Sequence, residues 1–267
     1  MASPFKAYDI RGIYADELTE ETAYAIGRAY ASLLKPQTVV VGYDMRPHSI
    51  PLTTALCKGL TVQGVDVIDL GLCSTPLVNF ANGTLKADGS IMVTASHNPG
   101  EYNGFKLCRA EAIPLSGETG IKDIETIIEE QNYAPPAKRP GRITTRDLFP
   151  DYQKHVVRIA ELGKPIHIAI DYANAMGIYE AKVFEDIITS DGLFEVYDGT
   201  FPHHEANPLN LETFDPLIHK MKSGEYDFGI AFDGDADRVG FTDEDGRIIS
   251  MDLITALIAK AILQRES

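Results

Sequence analysis

The chain has 267 residues, of which 44% are hydrophobic and 24% charged, a composition typical of a globular protein. At about 100–200 residues per domain, this length predicts two domains. The 39 Asp and Glu residues outnumber the 24 Lys and Arg residues, which gives a formal net charge of -15. Such a charge repels nucleic acids and anionic membranes, so we expect neither as a partner.

The three cysteines indicate a reducing compartment. Cys57, Cys73 and Cys108 are odd in number and form no CxxC pair, which argues against a disulfide framework and against a thiolate zinc site. The N-terminal residues lack the apolar centre of a signal peptide, and no segment approaches the apolar length of a membrane span. We therefore expect a cytoplasmic protein.

Strands alternate with helices in the first half of the sequence. Apolar runs predict strands at 38–44, 65–71 and 90–95, helical patterns lie between them at 51–63 and 76–86, and segments 104–110 and 112–116 predict a hairpin. Short buried strands separated by helices favour a mostly parallel sheet with helices on its faces.

The second half repeats this order. It opens with a predicted helix from Asp147 that stops at Gly163, continues with strands at 166–173, 194–199 and 227–235 and helices at 177–190 and 211–223, and ends in a hairpin with an Asp245-Gly246 turn. The predicted fold class is therefore α/β, with two related three-layer α/β/α domains, each built on a mostly parallel mixed sheet that ends in a hairpin.

A proline-rich segment separates the two halves. Residues 132–147 contain prolines at 135, 136 and 140 and are predicted to be the linker region, which places the domains at 1–146 and 147–267. The last segment, 251–267, has the apolar spacing of an amphipathic helix. We expect that helix to cover the second sheet.

Two loops occupy matching places in the two units. TASHNPG at 94–100 and FDGDADR at 232–238 each follow the third predicted strand and precede the hairpin. Ligands of open α/β sheets bind beyond the carboxyl ends of the strands. Both loops are therefore candidates for a functional site.

The second of these loops is rich in acids. Asp233, Asp235 and Asp237 recur at every second position, so an extended backbone projects their carboxylates to one side. Such acids repel one another unless a cation neutralises them, and oxygen ligands favour Mg²⁺. An EF-hand is excluded because its sixth position would be Arg238 and not glycine, whereas a solvated acidic turn stays open as an alternative.

Ser96 in the first loop admits four interpretations. It could be a helix N-cap or turn residue, a hydrolase nucleophile, a binding-loop residue, or a serine that carries phosphate. No G-x-S-x-G elbow supports a hydrolase. The matching position of the acidic loop favours the phosphate-bearing interpretation, because a divalent cation and an arginine are the expected partners of phosphate.

Six segments together resemble the α-D-phosphohexomutases, the phosphomannomutase/phosphoglucomutase family. They are FKAYDIRG (5–12), GYDMRPHS (42–49), STP (74–76), TASHNP (94–99), NGFK (103–106) and DGDADR (233–238). The resemblance covers essentially the whole chain. It implies transfer of phosphate between O1 and O6 of a hexose, mannose or glucose, through a phosphoserine and a hexose 1,6-bisphosphate intermediate.

The resemblance also implies a role for each matching residue. Ser96 matches the phosphorylated catalytic serine, His97 an active-site histidine, and the three aspartates the ligands of a Mg²⁺ that also touches the phosphoserine. The matching cations around the transferred phosphoryl group are Arg11, Lys106 and Arg238. Arg46 also falls in a matching segment, but we interpret it as a salt-bridged structural residue outside the core site.

The family has further domains that carry the sugar-discriminating and phosphate-gripping loops. These have no counterpart here, so we expect the chain to be the N-terminal two-domain portion of a longer enzyme, with C-terminal domains missing and little turnover alone. A non-catalytic module that binds Mg²⁺ or sugar phosphate, and a metal-dependent phosphatase, stay open as alternatives.

Overall fold

A computed structural model describes residues 3–158 and 164–265, which form two α/β units. The strands are β1 (Ile10–Ile13), β2 (Thr38–Tyr43), β3 (Asp66–Leu72), β4 (Gly89–Val93), β5 (Tyr102–Arg109), β6 (Ile143–Thr145), β7 (His167–Asp171), β8 (Thr189–Leu193), β9 (Phe228–Phe232), β10 (Val239–Thr242) and β11 (Ile248–Ile249). The α-helices are α1 (Glu20–Leu34), α2 (Ser49–Val62), α3 (Thr75–Leu85), α4 (Lys122–Glu129), α5 (Phe149–Val157), α6 (Gly177–Ala181), α7 (Asp215–Ser223) and α8 (Met251–Arg265). Shorter helical turns span Ala110–Ala112, Gly117–Ile121, Lys182–Phe184 and Leu211–Phe214.

The first sheet has six strands in the order β1-β5-β4-β2-β3-β6. Strands β4, β2, β3 and β6 are parallel, whereas β5 and β1 run antiparallel at one edge. All five residues of β4 are buried, as expected for a central strand covered on both faces. One face packs against α1, α2 and α4, and the other packs against α3 and α5, which gives the predicted three layers.

The second sheet repeats this plan with five strands in the order β11-β10-β9-β7-β8. Strands β8, β7 and β9 are parallel, and β10 and β11 add the antiparallel hairpin predicted around Asp245 and Gly246. Helix α7 packs on one face through Leu217 and Met221, and α6 covers the other through Ile178. The predicted α/β class with two related sheets is confirmed.

One strand of the second unit lies outside its predicted segment. The predicted helix at 177–190 ends at Phe184, and β8 occupies Thr189–Leu193 in place of 194–199. The sequence TSDGL is polar because β8 is an exposed edge strand, so it carries no apolar pattern. Phe194 then turns the chain with a φ of 58°, which ends the strand.

The hairpin predicted in the first unit, between segments 104–110 and 112–116, is much shorter than expected. Segment 112–116 meets β5 through a single bridge between Cys108 and Pro114, and β5 pairs instead with β4 and β1 along its length. Three residues of the predicted linker, 143–145, form β6 at the edge of the first sheet. Helix α5 lies within the helix predicted from Asp147, whose expected end at Gly163 falls outside the described residues.

The last helix does not cover the second sheet, contrary to expectation. Five of its apolar side chains are more than half exposed: Leu253 (65%), Leu257 (64%), Ile258 (53%), Ile262 (51%) and Leu263 (68%). The apolar residues of α8 are spread around the helix, so it has no single apolar face to bury, and none of them belongs to the described clusters on the second sheet. Residues 266–267 of the predicted helix lie outside the described part. No helix among the described residues is both long and apolar enough to cross a bilayer.

A buried carboxyl group joins the two units. The Ser74 hydroxyl, which caps α3, donates to one oxygen of Glu180 on α6, and the Tyr152 hydroxyl donates to the other oxygen at 3.0 Å. Glu180 is 7% exposed. Burial raises the pKa of its carboxyl, although the two hydrogen bonds oppose that shift.

Replacement of this carboxyl, Glu180→Gln, should change how stability depends on pH. Because the pKa is raised in the folded state, the contribution of Glu180 to the free energy of unfolding falls as the pH rises above the unfolded value of about 4.3. The amide does not titrate, so the free energy of unfolding of the variant, measured with urea, should rise relative to that of the wild type between about pH 4.5 and about pH 7. The matched control is Asp151→Asn on the exposed side of α5, which should follow the wild type. Parallel pH profiles for Glu180→Gln and the wild type would refute the prediction.

Candidate active site

Two loops from different sheets form the candidate active site. The first, residues 94–101, connects β4 to β5, and the second, residues 233–238, connects β9 to β10. They meet at Ser96, whose hydroxyl donates a hydrogen bond of 2.7 Å to the Asp233 carboxylate. Ser96 is 1% exposed and Asp233 is fully buried. The matching positions of the two loops in the sequence therefore correspond to direct contact in space.

The backbone of Ser96 is strained. Its φ of 52° lies in the left-handed region, which residues other than glycine rarely adopt. The Ser96 amide donates to the Thr94 hydroxyl at 2.9 Å, and the Asn98 amide donates to the Ala95 carbonyl at 3.1 Å. No helix begins within residues 94–101, all of which are described, so Ser96 is a turn residue and not a helix N-cap.

Close approach of the two loops requires a glycine. A Cβ atom at Gly234 would lie 2.0 Å from the carbonyl oxygen of Ser96, a separation that no side chain tolerates. Glycine at this position therefore lets the acidic loop reach the serine.

The three aspartates form a cluster. One carboxylate oxygen from each of Asp233, Asp235 and Asp237 lies within 4.8 Å of the others. Asp233 and Asp235 are buried, whereas Asp237 is exposed. Burial and the charges of the other two acids raise the pKa of Asp233 to about 8. Three such carboxylates stay ionised together only if positive charge is brought to them.

Two side-chain cations supply part of that charge. The Lys106 ammonium donates to Asp235 at 2.6 Å and also to Asp237. Burial lowers the pKa of Lys106, but the two carboxylates outweigh that effect and raise it, so the ammonium is charged. The Arg238 guanidinium contacts Asp233 at 3.0 Å. Three carboxylates against two cations leave one negative charge in excess.

The remaining charge and one free ligand atom fit a divalent cation. Oδ1 of Asp235 is buried and has no hydrogen-bond partner among the described residues. A buried carboxylate oxygen without a donor is costly, and a metal ion would satisfy it. Oxygen ligands in this number are the set that Mg²⁺ takes, with water and substrate oxygens completing its coordination. The residues present therefore fit the predicted ion.

Arg238 and His97 complete the surroundings of the serine hydroxyl. Nη2 of Arg238 lies 2.5 Å from Ser96 Oγ and also hydrogen-bonds to Nδ1 of His97, which is 3.5 Å from the same hydroxyl. Burial and the neighbouring cations Arg238 and Arg11 lower the pKa of His97. The imidazole is therefore neutral at neutral pH and able to accept a hydrogen bond or a proton.

Arg11 lies beside the cluster. Its guanidinium donates to the Asn98 side chain at 2.6 Å and pairs with Asp9, and none of its hydrogen bonds reaches Ser96. The structure thus brings Ser96, His97, Lys106, Arg238 and the three aspartates into contact and places Arg11 next to them.

Thr75 was missed from the sequence, and Arg46 was placed outside the core site. Thr75 at the start of α3 donates its hydroxyl to the Asp235 carboxylate, and its backbone amide donates to the Asp235 backbone carbonyl at 3.1 Å. Its segment STP is one of the six matching motifs, so the signal was present. Arg46 hydrogen-bonds the backbone of the Ser96 loop, a contact that no residue pattern reveals.

Comparisons with known proteins agree with this fold. The family described as phosphoglucomutase/phosphomannomutase, alpha/beta/alpha domain I, matches residues 2–134, and the corresponding domain II matches residues 150–246. A phosphomannomutase from Escherichia coli is 39% identical over 274 residues, and a phosphoglucomutase from Neisseria meningitidis serogroup B is 37% identical over 268 residues. Both alignments cover 98% of the chain. The chain therefore belongs to the phosphoglucomutase/phosphomannomutase family.

A crystal structure of a phosphoglucomutase/phosphomannomutase family protein from Burkholderia thailandensis matches over 100% of the chain, with a TM-score of 0.93 and 33% identity. The present chain covers 60% of that protein, 60% of the Escherichia coli relative and 57% of the Neisseria relative. It thus spans about three fifths of the length of the relatives that it matches.

The fit of the acidic cluster to Mg²⁺ predicts stabilisation by the ion. At a concentration about 100 times its dissociation constant, Mg²⁺ should add about 2.7 kcal/mol to the free energy of unfolding, and removal by a chelator should abolish the gain. Urea unfolding with and without Mg²⁺ measures it. Asp235→Asn should lose most of this stabilisation because the site loses a ligand charge. Asp245→Asn, in an exposed turn, is the matched control and should keep it. An equal gain in Asp235→Asn, or none in the wild type, would show that the ion does not bind here.

Proposed function

We propose that this chain is the catalytic core of a phosphohexomutase that interconverts hexose 1-phosphate and hexose 6-phosphate. The observation that carries the proposal is a single buried hydroxyl, Ser96, in contact with an acidic cluster and with Arg238. Phosphoryl transfer depends mainly on positioning and on neutralising charge on the phosphoryl oxygens. Those are the two properties that this arrangement provides.

In the proposed reaction, a phosphoryl group on Ser96 passes to a free hydroxyl of a hexose monophosphate. The bond between phosphorus and Ser96 Oγ breaks as a bond to the sugar oxygen forms, and the proton of the sugar hydroxyl passes to the neutral imidazole of His97. Ser96 Oγ leaves as an alkoxide stabilised by Arg238, and His97 returns the proton to the sugar oxygen that the second transfer frees. The resulting hexose 1,6-bisphosphate reorients, and its other phosphoryl group returns to Ser96. Phosphate is therefore conserved over the cycle.

The cations of the site have separate tasks in this scheme. Arg238, at 2.5 Å from Ser96 Oγ, binds the oxygens of the phosphoserine, and Lys106 supplies a second positive charge. Asp233, Asp235 and Asp237 would hold Mg²⁺, which adds positive charge beside the phosphate when it is bound. Arg11 holds the serine loop through its hydrogen bond to Asn98 and adds a further positive charge for the phosphate of the substrate. These local positive charges attract the anionic substrate, whereas the overall charge of -15 repels it.

The substrate is a hexose phosphate, of mannose or of glucose. Relatives named phosphomannomutase and phosphoglucomutase match at 39% and 37% identity, so both sugars are within the proposal. We place the domain boundary at residues 146 and 147, with the serine loop in the first domain and the acidic loop in the second. Three buried free cysteines support a cytoplasmic location.

The complete enzyme in this proposal is longer than the present chain. The exposed apolar side chains of α8, together with the coverage of about three fifths of each relative, support further C-terminal domains that complete the sugar site. Turnover by the 267 residues alone is accordingly expected to be low.

Phosphorylation of Ser96 tests the proposal. Incubation with glucose 1,6-bisphosphate and Mg²⁺ should add one phosphoryl group to the protein, visible by intact mass spectrometry and located on Ser96 by peptide mapping. Ser96→Ala should accept none, whereas Ser116→Ala, a serine outside the site, should behave as the wild type.

Three other outcomes would contradict the proposal. Transfer to a different residue would refute the role of Ser96. Release of inorganic phosphate without a stable phosphoserine would favour the metal-dependent phosphatase. Binding of bisphosphate with no transfer would favour the non-catalytic module.

A further inference from the structure

Arg46 is the most extensively hydrogen-bonded cation near the site, although it does not touch Ser96 Oγ. It follows β2 and is 2% exposed. Its guanidinium donates to four backbone carbonyls, those of Ser96 (2.9 Å), Asn98 (2.6 Å), Pro99 (2.7 Å) and Tyr102 (2.9 Å). Its Nε also pairs with the buried Asp44 carboxylate at 3.2 Å.

All four of these carbonyls belong to the chain between Ser96 and Tyr102. Buried carbonyl groups must find donors, and here a single side chain serves four of them. The planar guanidinium has five N–H donors in a fixed fork, whereas a lysine ammonium has three on one atom. Lysine at position 46 would therefore keep the positive charge but could not donate to all four carbonyls.

The arrangement also controls the electrostatics around the serine. Carbonyl oxygens carry partial negative charge and would repel a phosphoryl group on Ser96. Because Arg46 donates to the carbonyl of Ser96 itself and to that of Asn98, its positive charge offsets the partial negative charge of these two oxygens. The same bonds hold Ser96 at its strained φ of 52°.

Arg46 is itself held from both units. Asp44 accepts from the Arg46 amide at 3.1 Å and from the Ser49 hydroxyl at 2.6 Å, which fixes the carboxylate that orients the guanidinium. From the second unit, the ring of Phe201 lies 4.9 Å from the guanidinium carbon, within range of a cation–π contact. The interpretation of Arg46 as a structural residue outside the site is thus too narrow.

We infer that Arg46 is a positioning residue for phosphoryl transfer, which orders the Ser96 loop by engaging its four carbonyls and so presents the serine to the acidic loop. Only the phosphorylation part of this inference rests on the proposed function. The ordering of the loop can be measured without it.

The experiment compares the wild type with Arg46→Lys and with Asp44→Asn, a milder variant that leaves the guanidinium in place and removes the charge that orients it. Arg28→Lys is the matched control, because Arg28 lies 4.1 Å from the Tyr133 ring in the same unit, where lysine can also make a cation–π contact. Three quantities are measured: amide hydrogen exchange by mass spectrometry, Mn²⁺ affinity, and the rate of Ser96 phosphorylation by glucose 1,6-bisphosphate.

In Arg46→Lys we expect exchange of the Asn98 and Tyr102 amides to accelerate at least about tenfold, while α1 changes by less than about twofold. Phosphorylation should slow by at least about tenfold, with Mn²⁺ affinity within about threefold of the wild type, because the aspartates are untouched. Asp44→Asn should change amide exchange and the phosphorylation rate in the same direction but by a smaller factor. Arg28→Lys should match the wild type in both.

The inference is overturned if amide exchange in the loop is the same in Arg46→Lys as in the wild type, since a positive charge alone would then suffice to order the loop. It is equally overturned if all regions, α1 included, lose protection together, because Arg46 would then act only on global stability. Absence of phosphorylation in the wild type would instead refute the proposed function, and the exchange data would still decide the role of Arg46.

Discussion

The site depends on the burial of several carboxylates next to one serine hydroxyl. Asp233 and Asp235 are fully buried, and like charges at this distance raise each other's pKa unless cations oppose them. Lys106 and Arg238 supply two positive charges against the three carboxylates, and a divalent ion would offset the negative charge that remains. A phosphoryl group on Ser96 would bring further negative charge to the same place. In the proposed enzyme, the metal and these cations would let the serine, its phosphate and the aspartates share one site.

The fold produces this convergence from two separate sheets. Each loop follows a parallel strand, β4 or β9, and leads into an antiparallel strand, so the two carry their side chains at the same end of their sheets. The units are joined by the contact of Ser74 with Glu180 and by Gly234, which admits the Ser96 carbonyl. Packing between the units thus sets the distance between hydroxyl and carboxylates, and with it the chemistry.

Much of this was predictable from the sequence, for physical reasons. Strands β2 and β4 are apolar because they are covered on both faces, and the acids at every second position predicted the carboxylate cluster that could hold a cation. The edge strand β8 was misplaced because its polar residues carry no burial pattern, and the short strand β1 was not recognised. Arg46 was undervalued because its partners are backbone carbonyls, which have no residue identity. The family resemblance implied that Lys106 and Arg238 lie near the phosphoryl group, but their contacts with Asp235 and Ser96 join residues more than a hundred positions apart and follow no local pattern.

The central claim is that the acidic cluster and Ser96 form one site in which a metal ion and a phosphoserine lie side by side. Phosphorus NMR of the protein phosphorylated on Ser96 tests it directly, because bound Mn²⁺ broadens the resonance of a phosphate only at close range. The account predicts that Mn²⁺ broadens the phosphoserine signal stoichiometrically and that excess Mg²⁺ restores it. Mn²⁺ that binds the protein while this signal stays sharp would contradict the account.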